Sequence, residues 1–198
     1  CGTGAVARFM AQWPHVAEVV GTDPSPALVD KARALSAGLA TLSFHEADGK
    51  ALPFPARTFD VVVFHTVLSH VPGPEALLAE AFRVLRPQGS VGIGDGDWST
   101  ATVALGTHDP LQTCVEAFVE HFVHDPWLVR RLPALTHAAG FVVSPLHTYG
   151  IVETLEPRMT PTWVERGVEA LLAVGRIGAE LAAALKADKA ELDIEGNE

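Results

Sequence analysis

The chain has 198 residues, 48% of them apolar and 19% charged, which is ordinary globular composition and room for one well-filled core. A formal net charge of −10 disfavours nucleic-acid phosphate or an anionic membrane face as a partner. Two cysteines, Cys1 and Cys114, are too few for a disulfide framework and suit a reducing cytoplasm, and no apolar run is long enough to span a bilayer.

In chain order, Ala5 to Trp13 reads as a helix stopped by Pro14, and "HVAEVVGTD" as a short strand ending at Asp23. "PSPALVDKARALSAG" is a second helix, with Ser25 as its cap, Pro26 in its first turn and Gly38 closing it. "LSFHEAD" is a strand, followed by the loop "GKALPFPARTF". "DVVVFHTVL" has the near-continuous β-branched pattern of a strand buried on both faces. "PEALLAEAFRVL" is helical and ends at Arg86-Pro87, and "SVGIGDGDW" is a further strand. Strict alternation of strand and helix implies a doubly wound, mostly parallel α/β sheet.

The second half changes character. Asp109-Pro110 opens a helix with apolar positions at Leu111, Val115, Phe118, Val119, Phe122 and Val123. Asp125-Pro126 opens another that runs toward Gly140 and bends at Pro133. "GFVVSPLHTYGIVET" reads as one or two strands, and the Ala/Leu-rich stretch after it as one helix or two, broken near Gly175 and Gly178. No linker divides the chain, so residues 1–198 read as one domain, with a cofactor-binding half over 1–97 and acceptor-side helices over 98–198.

Gly2-Thr3-Gly4 supplies a turn bare of side chains, and Asp23 follows Gly4 by nineteen residues at the end of a strand. In doubly wound folds such a carboxylate lines the ligand crevice and can accept hydrogen bonds from both ribose hydroxyls; alone it would be a helix cap. Together the two features favour a nucleoside-containing cofactor. "GTGAVA" also satisfies a dinucleotide fingerprint, which keeps an NAD(P)-binding oxidoreductase as a competitor.

The ordered set "CGTGAVARF", "GTDPSPALVDKARA", "FHEADGKALPFPARTFDVVVFHTVLSHV" and "EAFRVLRPQGSVGIGD" resembles the class I S-adenosylmethionine-dependent methyltransferases, most of all the small-molecule branch that includes quinone-biosynthesis enzymes. The resemblance covers residues 1 to 97. It implies S-adenosyl-L-methionine as cofactor and methyl transfer to a small molecule. Gly2 and Gly4 would lie against the methionine part, and Asp23 would bind the ribose. Asp48 would accept from the adenine amino group, Gly49 would let backbone reach the ring edge, and Leu52 would pack on the ring face. His65 would face the methyl group.

Methyl displacement needs a base only when the acceptor must lose a proton. Candidates are His65, His70, Asp95 and Asp97, at the C-terminal ends of strands or just beyond. Trp98, Phe118, Phe122 and Trp127 are candidate lining for the acceptor, against the plainer reading of aromatic residues as core. His121 and His124 with His108 lack a Cys or carboxylate partner, so no metal is expected. The expected partner is a small acceptor molecule, with neither nucleic acid nor membrane; a homodimer is compatible with all of this. A non-catalytic relic of the fold is a third reading.

In the family resembled, an apolar strand with an acidic end precedes "CGTG" and lies mid-sheet. Without it, neighbouring strands would expose unpaired backbone groups at about 1–3 kcal/mol each. The sequence is therefore expected to be an internal fragment that folds poorly and binds cofactor weakly by itself.

Overall fold

The computed structural model describes residues 1–153 and 159–194, with side chains as far as Ala187. The order of elements is α1 (Ala5–Met10), β1 (Val19–Asp23), α2 (Pro26–Leu35), β2 (Leu42–Glu46), β3 (Phe59–His65), α3 (Pro74–Val84), β4 (Leu85–Gly94), α4 (Pro110–Phe122), α5 (Leu128–Ala138), α6 (Thr160–Ala173) and α7 (Ala179–Ile194). Short 3-10 turns occupy Leu68–His70 and Trp98–Thr100. The chain divides into two compact units. The first takes Cys1–Leu68, Gly73–Asp95 and Ala134–Val142; the second takes Ser69–Pro72, Gly96–Pro133 and Val143–Glu198.

The first unit is α/β, and its strands are all parallel. They come as two pairs, β1 with β2 and β3 with β4, with no ladder joining the pairs among the described residues. Local signals start each element where the sequence places it. Ser25 Oγ accepts from the Leu28 N–H at 3.4 Å and Pro26 occupies the first turn of α2. Helix α1 ends at Met10, three residues earlier than its pattern suggests, in hydrogen-bonded turns through Gln12 and Trp13. Ala7, Val29, Ala32 and Phe44 form one small core where α1 and α2 cover β1 and β2. Gly4 is held at φ +77, and a Cβ there would stand 2.8 Å from the Phe44 ring, so backbone sign and packing both demand glycine.

Strand β3 departs from the expectation of burial on both faces. Val61 is 53% and Val63 39% exposed, and they share their face with Ser90 and Gly92 of β4. Among the described residues β3 pairs with β4 alone, and the face that carries Val61 and Val63 is open. At the far edge of the other pair, Val19 N–H donates to Thr41 O and Ala47 N–H to Asp23 O, which turns the odd-numbered peptide groups of β2 toward β1. The Phe44 carbonyl therefore points outward, where it accepts from Arg33 Nη2 at 2.8 Å.

The second unit is helical. Asp109 caps α4, its Oδ1 accepting from the Leu111 N–H at 3.0 Å, with Pro110 in the first turn. Leu111, Cys114 and Val115 of α4 pack against Val164, Val168 and Leu171 of α6, joined by Ala182 and Leu185 of α7. The approach of α4 to α6 is extreme: a Cβ on Gly167 would fall 1.8 Å from the Cys114 carbonyl oxygen. Gly175 at φ +71 separates α6 from α7, so the sequence break there is two helices.

The strands expected over "GFVVSPLHTYGIVET" do not form among the described residues. Phe141 to Glu153 has no regular structure, and Val142, Tyr149, Ile151 and Val152 are largely exposed. β-branched runs make strands only when a neighbour supplies the other half of the ladder, and no described strand does so. Thr154 of that stretch lies outside the described residues. Glu153 instead accepts from the Met159 and Thr160 N–H groups at the start of α6.

Candidate active site

In the first unit Asp23, Asp48 and His65 lie at or just beyond the C-terminal ends of β1, β2 and β3. Asp23 closes β1. Its Oδ2 accepts from the Gly2 N–H at 2.8 Å and the Cys1 ammonium at 3.0 Å, and its Oδ1 from the Ser25 N–H at 3.0 Å. Burial raises its pKa, but the Ser25 and Gly2 N–H groups and the Cys1 ammonium outweigh this and hold the carboxyl below its ordinary value. A carboxylate has about four acceptor positions. The Gly2 and Ser25 N–H groups occupy two of them. Asp23 thus both closes the turn leading into α2, whose cap is Ser25, and anchors the glycine turn.

Asp48 lies two residues beyond β2, on an exposed turn where its Oδ1 accepts from the Lys50 N–H at 2.9 Å. Ala47 N–H donates to Asp23 O, so the Asp48 turn leaves β2 beside the end of β1. A Cβ on Gly49 would make only ordinary contact with Leu77, at 3.5 Å. Leu52 is half-buried. Phe54, just after it, sets its ring edge-on to His45 of β2 (5.7 Å) and Phe59 of β3 (5.1 Å), so one side chain spans both strand pairs.

His65 is the last residue of β3, exposed, opposite Gly94, with its Nδ1 3.2 Å from Thr66 Oγ1. Thr66 holds φ +52, a left-handed conformation that threonine rarely adopts, fixed by its N–H on the Gly94 carbonyl at 2.7 Å. The strand end is thereby turned sharply after His65. Asp95 follows β4 directly.

His70 and Asp97 belong to the second unit. His70 Nδ1 is 2.8 Å from the Phe122 carbonyl. A carbonyl only accepts, so Nδ1 carries the proton and, in the neutral ring, Nε2 keeps the basic lone pair. The ring stands edge-on to Trp98 at 5.5 Å, and Trp98 Nε1–H donates to Ser69 Oγ at 3.1 Å. Asp97 accepts from Ser99 Oγ at 2.6 Å and from Arg130 Nε at 2.9 Å. The Ser99 hydroxyl first, and Arg130 second, hold its pKa below the ordinary carboxylate value. So engaged, Asp97 is a poor proton acceptor and a good loop anchor.

Trp98, Phe118 and Phe122 do gather: Trp98 lies 5.8 Å from Phe118, which stacks on Phe122 at 5.4 Å. The cluster also takes in Trp163 of α6, 5.4 Å from Trp98, and Arg166, whose guanidinium lies 5.4 Å above Phe122. Neither was legible, because Trp163 sits in an Ala/Leu-rich stretch where helical packing explains any aromatic residue. Trp127 is 54% exposed and makes no ring contact with the cluster among the described residues. No helix among them is long and apolar enough to cross a membrane.

A family model described as "Methyltransferase domain" matches residues 1–93. Residues 1–93 are similar to that family. Among curated proteins, the chain is 30% identical over 175 residues to an uncharacterized methyltransferase of Schizosaccharomyces pombe, covering 84% of the chain and 63% of that relative. It is 31% identical over 139 residues to the ubiquinone/menaquinone biosynthesis C-methyltransferase of Desulfotalea psychrophila, covering 70% of the chain and 52% of that protein. The chain therefore spans about half to under two thirds of the length of these relatives. The solved structure of YcgJ from Bacillus subtilis superposes with a TM-score of 0.63 at 18% identity, over 92% of the chain and 77% of its own; at that identity the likeness is one of fold. The matched residues include Gly2, Gly4, Asp23, Asp48, Gly49, Leu52, His65 and His70, while Asp97 and Trp98 lie beyond them.

Proposed function

We propose that this chain transfers the methyl group of S-adenosyl-L-methionine to a small-molecule acceptor by in-line displacement. The observation that carries the reading is the Gly2–Asp23 contact at the end of β1, which fixes a bare glycine turn beside a carboxylate held ionised. The residues fit the cofactor. Gly2 adopts φ +55 and nothing stands within 4 Å of the place a Cβ would take, so the turn's backbone is open to a ligand.

The sulfonium cofactor, when bound, supplies a methyl group already activated toward a nucleophile. Gly2 and Gly4 would hold its methionine part, Asp23 its ribose, and Asp48 with Leu52 its adenine. His65, at the turn after β3, would face the methyl-bearing end. In the second unit the Phe122 carbonyl fixes the tautomer of His70 so that Nε2 carries the lone pair, which suits it to take a proton from an acceptor hydroxyl or amine. Asp97, bound by Ser99 and Arg130, holds the segment around Trp98 in place. Trp98, Phe122 and Trp163 offer ring faces to an apolar or aromatic acceptor.

Calorimetric titration of the chain with S-adenosylhomocysteine and, separately, with NAD tests the cofactor. Saturable binding of the first and none of the second is expected, with Asp23→Ala weakening it roughly tenfold or more. NAD binding without S-adenosylhomocysteine binding would overturn the proposal in favour of a dehydrogenase. Binding of S-adenosylhomocysteine with no methyl transfer to any offered acceptor would favour the relic.

A further inference from the structure

The loop after β2 presents the residues assigned above to adenine, yet Gly49 to Thr58 contains no helix or strand. Ala51, Pro53 and Pro55 are exposed, and Leu52 and Phe54 only half-buried, so packing alone does not fix its course. Its backbone is instead pinned by one ion pair on α3. Glu80 Oε1 accepts from the Leu52 N–H at 2.6 Å. Arg83 reaches the Leu52 carbonyl at 3.3 Å and the Phe54 carbonyl at 2.9 Å with the same Nη2 that binds Glu80 Oε1 at 2.6 Å, while its Nε binds Glu80 Oε2 at 2.7 Å. The Arg83 carbonyl then accepts from the Arg57 N–H at 3.0 Å. Three points of the loop are thus tied to a single turn of helix.

An ion pair spaced i, i+3 on a helix contributes little by itself when exposed. Here the Glu80 carboxylate is 11% exposed and shares its acceptors with a loop peptide group, so the pair's partners are chiefly backbone. The planar fork of arginine is what allows one side chain to hold a carboxylate and two carbonyls at once, a task a lysine ammonium cannot reproduce. Recognition of a purine edge depends on such loop positions to within about an ångström.

We infer that Glu80 and Arg83 are positioning residues for base recognition, holding the Asp48–Phe54 loop in the register that reads the adenine ring. This rests on the cofactor reading above. The Arg83 bonds hold the Glu80 carboxyl below its ordinary pKa and the Leu52 N–H adds to the effect, against a smaller desolvation cost, so the clamp stays charged at neutral pH.

The test uses the full chain with Arg83→Lys and Glu80→Gln. Two quantities are measured: amide hydrogen exchange at Leu52 without any ligand, and the ratio of dissociation constants for S-adenosylhomocysteine and its 6-oxo (inosine) analogue. The variants should exchange the Leu52 amide roughly tenfold faster. Their preference for the adenine form should fall roughly fivefold, with Arg83→Lys retaining the wild-type melting temperature. Unchanged exchange at Leu52 would show that the clamp does not hold the loop. Equal weakening toward both nucleosides, or a wild-type ratio near one, would reduce the pair to a structural role. Binding of neither nucleoside by the wild-type chain would remove the cofactor reading and the positioning role with it, while the exchange data would still report whether the loop is pinned.

Discussion

The two units of this chain are held together by different means. In the second, α4, α6 and α7 meet through a continuous apolar seam, close enough at Gly167 that helix backbone rests on helix backbone. The first also buries apolar side chains, in the cluster around Phe44 and at Leu68, Leu77, Leu78, Ala81, Val84 and Leu85, but one face of β3 is open and the loops at the strand ends are tied by hydrogen bonds between charged side chains and backbone. Packing tolerates repacking but gives no single direction, whereas a bond from Asp23 to Gly2 N–H fixes both distance and orientation. The unit proposed to hold a polar cofactor adds directional contacts at its strand-end loops to a packed core, and the one proposed to meet an apolar acceptor gathers rings and methyl groups.

Four substitutions break or sharpen that contrast. Gly167→Val should have the largest effect, a loss of about 3 kcal/mol or more, because the new side chain has to displace the Cys114 carbonyl. Urea denaturation measures it, and near-wild-type stability would mean that α4 and α6 do not meet as described. Leu171→Ala, 3% exposed in the same seam, should cost about 2–5 kcal/mol by the same assay.

Asp23→Asn tests the directional side. Its folded-state pKa lies below the unfolded value of about 3.9, so its contribution is complete above that value and drains away as pH falls toward the folded one. The variant should be about 1.5 kcal/mol less stable at pH 7 and should lose part of the acid-side slope of stability. A variant whose stability falls with acid as steeply as wild type would contradict the bonds assigned to Asp23. Smallest of all, Val61→Thr on the open face of β3 should shift stability by under about 0.5 kcal/mol. A loss of several times that would place Val61 in a core.

Much of the fold was legible because its signals are local. Ser25-Pro26 and Asp109-Pro110 mark helix starts chemically, and the parallel pairing follows from alternation of strand and helix. The glycine turn and Asp23 are likewise a spacing that a sequence displays. Glu80 and Arg83 were invisible, since two opposite charges on an amphipathic helix look like any solvated face until the loop they hold is seen. The engagement of Asp97 by Arg130 and the tautomer of His70 are equally non-local: each depends on a group 33 and 52 residues away. The strands expected after Gly140 failed for a related reason, since strand propensity describes a surface that fits a neighbour and says nothing of whether the neighbour exists.

Arg33 carries a consequence of another kind. The outward carbonyl of Phe44 that it covers lies on the side of β2 that is unpaired among the described residues, where an extended segment of a second molecule could otherwise dock in register. A long, charged side chain laid across that rim discourages such docking, as charged residues do on sheet borders generally. Arg33 is then a guardian of solubility more than of stability: its removal should leave the melting temperature little changed while lowering the concentration at which the chain begins to associate.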